Sequence, residues 1–252
     1  MKRIIDFQVK GNQRLNDETF LLTLYSPELP EMKPGQFVNV RVDSPHTFLR
    51  RPLAVHDVEQ AKGLLYLYVK IVGKGTMALS KRVTGDLLNV ILPLGNSFEY
   101  TSAGKVLLIG GGSGSAPLLY LAKQLKAIGN EPDILFGTKD DKDLLRIDEY
   151  KKYGRVHIST EDGSAGEKGY PTRHSLLENR FDTIFCCGPD PMMKAVAGYA
   201  RSRNVSCYVS LEKTMACGIG VCLCCVTETT SGHKCVCTEG TVFNINDLAW
   251  QI

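Results

Sequence analysis

The sequence contains no run of about 18 apolar residues, so no membrane-spanning helix is expected. Its first residues, MKRIIDFQVKGNQ, return to charged and polar side chains before any apolar stretch of the kind a secretory signal needs. No export is therefore expected, and a cytoplasmic location is. An excess of one charge is also missing. Lys and Arg number 30 against 27 Asp and Glu, a net charge of +3, which gives no reason to expect nucleic acid or an anionic membrane as partner. No internal repeat or low-complexity tract is present. What remains is a chain of 252 residues, 43% apolar and 23% charged, the balance of a soluble protein with one large or two to three smaller domains.

Against these absences stand nine cysteines. In a reducing compartment thiols do not persist as disulfides, so this number points to metal or redox chemistry. Four of the nine fall within MACGIGVCLCCV, residues 215–226.

The chain divides into three regimes. Residues 1–100 read as β-rich, with short runs at 20–25 (FLLTLY), 36–42 (QFVNVRV), 64–72 (LLYLYVKIV) and 87–92 (LLNVIL) separated by Pro/Gly turns. This pattern predicts a small antiparallel barrel, with a short helix over 77–83. In residues 101–210, strand candidates at 105–109, 133–137, 155–159, 183–187 and 206–210 alternate with helical spacing, clearest over 116–128 and 191–202. That alternation predicts a parallel α/β sheet. Residues 211–252 hold the cysteine clusters and form the third expected domain.

KVLLIGGGSGSAPLLYLAKQL is strand, glycine turn, helix. Gly112 and Gly114 let the backbone approach a pyrophosphate closely, and the following helix start offers free N–H groups. Pro117 stands where a third glycine would complete the dinucleotide fingerprint, so a tight turn without ligand stays open as an alternative. Downstream, Cys187-Gly188-Pro189-Asp190-Pro191-Met192 ends another strand. Loops at the carboxyl ends of parallel strands share one edge, and two of them point to a dinucleotide cleft more strongly than either alone.

The glycine loop and the C-G-P-x-P-M segment resemble the ferredoxin-NADP⁺ reductase superfamily, which places a flavin barrel before a nicotinamide domain. The resemblance implies a flavin site at Arg51, Pro52, Leu53 and Ala54, at Tyr68, Val69 and Lys70, and at Gly75 and Thr76 of Gly73-Lys74-Gly75-Thr76. It implies NAD at Gly112, Gly114, Cys187, Gly188 and Pro189. An arginine suits a flavin pyrophosphate because its fork bonds two oxygens at once. Leu53 and Ala54 depart from the aromatic and hydroxyl residues of the superfamily's signature, which bears on flavin tuning. FAD rather than FMN follows from the resemblance only. For NAD against NADP, Asp140, Asp141 and Asp143 disfavour a 2′-phosphate without saying which residue meets the ribose.

Cys217-x₄-Cys222-x₂-Cys225 has the plant-type spacing for a [2Fe–2S] cluster, with Gly218 and Gly220 allowing the loop to turn and aim N–H groups at sulfur. A Cys₄ zinc site is the main alternative, though zinc sites usually present two separated pairs. Cys235 and Cys237 compete for the fourth place. Their spacing, read as strand alternation, puts both on one face; the family resemblance favours Cys237. Cys186, Cys207, Cys224 and Cys235 are expected to be structural.

LEKTMACGIGVCLCCV, RRPLAV, GGGSGSAP and CVCTEGTVF together resemble the electron-transfer subunits of NAD-linked dihydroorotate dehydrogenases, the iron–sulfur flavoproteins of bacterial pyrimidine synthesis. The resemblance implies a relay from an FMN-holding catalytic subunit, through the cluster and FAD, to NAD⁺, in a heterotetramer of two plus two chains. It implies no catalytic acid or base here, and His46, His56, His157, His174 and His233 are expected to be surface or structural. Ile219, Val221 and Leu223, interleaved with the cysteines, are expected to face the partner. The alternatives are a subunit of another complex, of bifurcating transhydrogenase or sulfide dehydrogenase type, and a zinc-stabilised nucleotide-binding module. Relatives of the first kind can carry Asp at the first cluster position; here it is Cys217.

Overall fold

The computed structural model describes residues 1–45 and 47–251, so the reading of His46 lies outside the described residues. The chain forms two compact units. The first is built from residues 1–97, 213–227 and 234–241, and the second from residues 98–212, 228–233 and 242–252.

The first unit is organised by seven antiparallel strands: β1 (Arg3–Arg14), β2 (Thr19–Tyr25), β3 (Phe37–Val40), β4 (Arg51–Ala54), β5 (Asp57–Glu59), β6 (Leu64–Lys70) and β7 (Leu87–Leu94). Their order is β4-β3-β7-β1-β2-β6-β5, and the sheet curls until β4 approaches β6. Alternation dictates the curl's inner face. Leu65, Leu67 and Val69 of β6 are buried while Leu64, Tyr66, Tyr68 and Lys70 are half-exposed. Strand β1, which the sequence reading did not include, obeys the same rule through Ile5, Phe7 and Val9. The short helix α1 (Lys74–Ser80) begins three residues before the expected 77–83. The Thr76 hydroxyl causes the shift. It accepts from the Val72 and Gly73 N–H groups at 2.9 and 3.2 Å and donates to the Gly73 carbonyl at 3.1 Å, so the glycine turn is itself the first helical turn.

The second unit holds β8 (Val106–Gly111), α2 (Leu118–Ala127), β9 (Asp133–Thr138), α3 (Ile147–Lys151), β10 (Arg155–Thr160), β11 (Glu167–Lys168), β12 (Thr183–Cys187), α4 (Asp190–Arg203) and β13 (Ser206–Ser210). These strands are parallel, in the order β11-β10-β9-β8-β12-β13. Strands β8, β9 and β12 bury side chains on both faces, as a sheet covered by helices requires. Helix α2 packs Leu118, Leu119, Leu121, Ala122 and Leu125 into the core, and Phe136 meets Tyr150 edge-on at 4.7 Å. From β8 the chain builds outward first to β9 and later, on the other side, to β12. The sheet therefore has its topological switch point between β8 and β12.

The last segment contains a hairpin of β14 (Val226–Thr229) and β15 (Gly232–Cys235), a one-turn helix α5 (Val236–Glu239), and β16 (Val242–Asn244), which adds to β13 antiparallel. Cys235 thus ends a strand while Cys237 lies on a helical turn. The expectation that strand alternation places both on one face is corrected: the Glu239 carboxylate, accepting from the Cys235 N–H at 2.8 Å, closes the turn that ends the strand. Among the described residues no helix is long and apolar enough to cross a membrane.

Candidate functional site

The arginine motif lies on β4, whose residues Arg51, Pro52, Leu53 and Ala54 are all half-buried. Strand β3 aligns it, pairing Asn39 with Pro52 and Val38 with Leu53. The Arg51 guanidinium is tethered to the Leu49 and Arg50 carbonyls at 2.8 and 3.1 Å and passes over Gly75. A Cβ at Gly75 would stand 2.2 Å from Arg51 Nε, so a side chain there would push the guanidinium out of this position. Arg50 turns the other way and donates to the Asn39 and Asn89 carbonyls at 3.3 and 3.0 Å. It is an internal brace. Tyr68 and Lys70 share the half-exposed face of β6, whereas Val69 points into the core and can meet a ligand only through its backbone. Fully buried His56 packs its ring 5.5 Å from that of Tyr68. A guanidinium held over a glycine, beside a half-exposed strand, fits a flavin with a pyrophosphate tail.

In the second unit the two predicted loops meet. A Cβ on Gly114 would stand 2.5 Å from Gly188 Cα and 2.6 Å from the Cys187 oxygen, so the glycine loop and the β12 loop touch backbone to backbone. Gly111 lies equally close to Met192 and Pro189, with 2.6 Å and 2.9 Å left for a Cβ. Gly112 has φ +52°, a left-handed conformation that glycine adopts freely. The Tyr150 hydroxyl donates to the Ser115 carbonyl at 2.9 Å and the Ser115 hydroxyl to the Gly112 carbonyl at 2.9 Å, which fixes the turn from beneath. The Cys187 thiol points to the Ser210 carbonyl at 3.5 Å; burial, with the nearby Glu212 carboxylate, pushes it up to about 12. It is a neutral thiol at physiological pH. Both loops sit at the carboxyl ends of adjacent strands at the switch point, where open α/β sheets bind nucleotides.

The cysteine loop is shaped by three left-handed residues, Gly218 (φ +69°), Gly220 (φ +90°) and Leu223 (φ +57°). Its turns aim N–H groups at sulfur. Ile219, Val221 and Cys222 donate to Cys217 Sγ at 3.4, 3.4 and 3.5 Å, Cys224 donates to Cys222 Sγ at 3.5 Å, and Cys237 donates to Cys225 Sγ at 3.4 Å. Burial opposes ionisation of Cys217, but the Ile219, Cys222 and Val221 N–H groups outweigh it and bring the thiol down to about 6. Fully buried Cys237 is pushed up to about 12, by burial first and then by the adjacent Cys225 sulfur, against an N–H from Gly220. Cys235 is raised by burial and by Cys225 and Glu239. Cys224 turns its side chain to solvent.

Backbone donors converging on sulfur fit an iron–sulfur cluster, whose thiolates and sulfides need such partners. Among the described residues no three His, Cys, Asp or Glu side chains gather at single-ion spacing.

The cysteine loop and the segment after it are tied to the barrel by three bonds that the sequence reading did not anticipate. The Asn39 amide donates to the Cys217 carbonyl at 3.1 Å, the Asn96 amide donates to the Glu239 carbonyl at 3.3 Å, and the Thr241 hydroxyl donates to the Gly35 carbonyl at 2.7 Å. Asn39 is 1% exposed, and its Oδ1 has no hydrogen-bond partner among the described residues. Such an unmet acceptor costs about 1–3 kcal/mol. The available signal was a lone asparagine inside the otherwise apolar strand FVNV.

Ile219, Val221 and Leu223 are 40%, 76% and 63% exposed, an apolar surface around the loop. Of the histidines, His157 bonds Asp133 at 2.8 Å and His174 lies 3.5 Å from Glu167, while His233 is exposed.

Residues 212–249 match the iron-sulfur cluster binding domain of dihydroorotate dehydrogenase B, and residues 108–198 match the oxidoreductase NAD-binding domain. The dihydroorotate dehydrogenase B (NAD(+)) electron transfer subunit of Clostridium acetobutylicum is 42% identical over 86% of this chain and 87% of its own length. The subunit of that name from Caldanaerobacter subterraneus subsp. tengcongensis is 38% identical over 94% of each chain. Among solved structures, that of an NADH-dependent reduced ferredoxin-NADP oxidoreductase, solved for insight into flavin-based electron bifurcation, superposes with a TM-score of 0.88. It is 33% identical and covers 97% of this chain and 90% of its own. With a curled antiparallel sheet, a switch-point parallel sheet and a thiol-lined loop in hand, these likenesses settle the family: the chain belongs to the dihydroorotate dehydrogenase B electron transfer subunits.

Proposed function

We propose that the chain carries electrons taken from dihydroorotate by an FMN-holding catalytic subunit and delivers them to NAD⁺ in the cytoplasm. The observation that carries this reading is the convergence of backbone N–H groups on Cys217, Cys222 and Cys225 in a chain whose other unit joins two glycine loops at a sheet switch point. When bound, a [2Fe–2S] cluster exchanges single electrons, FAD accepts one or two, and NAD⁺ takes a hydride, so FAD links the one-electron and two-electron halves.

The chain's own residues hold and separate these groups. Cys217, Cys222, Cys225 and Cys237 ligate the irons, with Cys235 outside the ligand set. Arg51, braced over Gly75, takes the flavin pyrophosphate, while the backbone of 52–54 and the half-exposed face of Tyr68 and Lys70 border the ring system. Gly112, Gly114, Cys187, Gly188 and Pro189 receive the dinucleotide. Proton transfer to or from the pyrimidine belongs to the partner. The exposed apolar residues Ile219, Val221 and Leu223 form the face that meets it, in an assembly of two plus two chains.

A second reading, reduction of another acceptor within a bifurcating complex, is favoured by the likeness to the NADH-dependent reduced ferredoxin-NADP oxidoreductase. A cysteine at position 217 favours the first. Co-purification with an FMN-containing dihydroorotate dehydrogenase subunit, followed by assay of dihydroorotate-dependent NAD⁺ reduction, tests the choice. Turnover by the complex supports the first reading. Failure of the two chains to associate, or NADH-dependent reduction of ferredoxin in place of dihydroorotate turnover, overturns it.

A further inference from the structure

We propose that Asn39 is a positioning residue that fastens the cluster loop to the flavin strand and makes the bound cluster easier to reduce. The proposal rests on the reading of Cys217, Cys222, Cys225 and Cys237 as cluster ligands.

Asn39 is the one described residue that both pairs with the flavin strand and bonds a cluster ligand. Its main chain lies opposite Pro52 in the β3–β4 pair, and its carbonyl accepts from Arg50 at 3.3 Å. Its side chain leaves the strand and donates to the Cys217 carbonyl at 3.1 Å. The fit is close, because a Cβ on Gly218 would stand 2.6 Å from Asn39 Nδ2. Gly218 is thus required for its left-handed φ and also for the approach of this amide.

The chemistry fixes which end of the amide faces the loop. A carbonyl opposite the Cys217 carbonyl would repel it, so Nδ2 must point there, and Oδ1 is left buried without a partner among the described residues. An apolar residue of the same size would carry no unmet acceptor. The amide is kept for the bond that it gives. A donor into the Cys217 peptide draws electron density away from the ligand's backbone, in a place sheltered from water. Reduction adds negative charge to the cluster, and a buried donor dipole favours the more negative state.

The test uses the full-length chain, purified anaerobically with flavin and cluster, and two near-isosteric variants, Asn39→Leu and Asn39→Asp. Iron, sulfide and flavin contents are measured first. The EPR spectrum of the reduced cluster and its midpoint potential then follow, with the flavin potential as internal reference. Both variants are expected to lower the cluster potential relative to the flavin and to alter the EPR g-values, Asn39→Asp more than Asn39→Leu. Loss of iron and sulfide with flavin and far-UV circular dichroism intact equally supports the positioning role. A loaded variant with unchanged potential and g-values overturns the proposal, and if Asn39→Leu does not fold, Asn39→Asp alone decides. Absence of iron and sulfide from the unaltered chain overturns the cluster reading and this proposal together.

Discussion

Gly75 lies directly beneath the guanidinium of Arg51: a methyl group there would meet Nε at 2.2 Å and Cζ at 2.7 Å. The two residues are separated by a whole hairpin in sequence, and the contact holds the arginine fork at the place proposed above for a flavin pyrophosphate. Gly75→Ala is therefore expected to displace the guanidinium and weaken FAD retention by about 10- to 100-fold, the loss of hydrogen bonds to a charged group at about 1.5–3 kcal/mol. Titration of flavin-stripped protein with FAD, followed by fluorescence quenching, measures it. Equal affinity would remove Arg51 from the flavin site.

The sulfur contacts give a ranking for the cysteines. Serine at 217, 222, 225 or 237 is expected to reduce iron and sulfide well below the about two of each that a loaded chain carries. Cys224→Ser and Cys235→Ser are expected to leave both contents unchanged. Iron content of the Cys235→Ser and Cys237→Ser chains, purified anaerobically side by side, decides the fourth ligand. Retention in Cys237→Ser with loss in Cys235→Ser would reverse the assignment.

Gly114→Ala would drive a methyl group into the Gly188 backbone at 2.5 Å. Such overpacking costs about 1–3 kcal/mol, and about 1.4 kcal/mol suffices for a tenfold change in binding. The expected result is a KM for NADH about tenfold higher in ferricyanide reduction, with flavin and iron contents unaltered. An unchanged KM would show that the two loops part without disturbing the nucleotide.

Val221 is the most exposed of the three apolar residues around the cysteine loop. Val221→Glu places a charge in the proposed contact with the catalytic subunit. It is expected to weaken association by at least about tenfold, seen as separate peaks on size exclusion. Iron and flavin per chain should stay unchanged. Co-elution at the wild-type affinity would put the interface elsewhere.

What was legible in the sequence was local. The Gly-Ser-Gly turn, the C-G-P-x-P segment and the x₄, x₂ cysteine spacing each declare themselves within a few residues, because backbone conformation and ligand geometry restrict near neighbours. What stayed hidden was mostly long-range. Strand β1 buries Ile5, Phe7 and Val9 between outward-facing Asp6, Gln8 and Lys10, an alternation that was present in the sequence and was passed over. The early start of α1 depends on one hydroxyl, that of Thr76, capping its own turn. The bond from Asn39 to Cys217 spans 178 residues, and no local pattern announces it. Cys237 was placed on a strand face because two-residue spacing looks like alternation; the Glu239 contact that turns the chain into a helix is visible only in three dimensions.

The unit that contains the barrel begins with residue 1 and is completed by residues 213–227 and 234–241, with most of the other unit encoded in between. During synthesis the barrel strands are therefore made well before Cys217 and Thr241, the residues that match the Asn39 amide and the Gly35 carbonyl. A chain cut short by premature termination lacks the thiols.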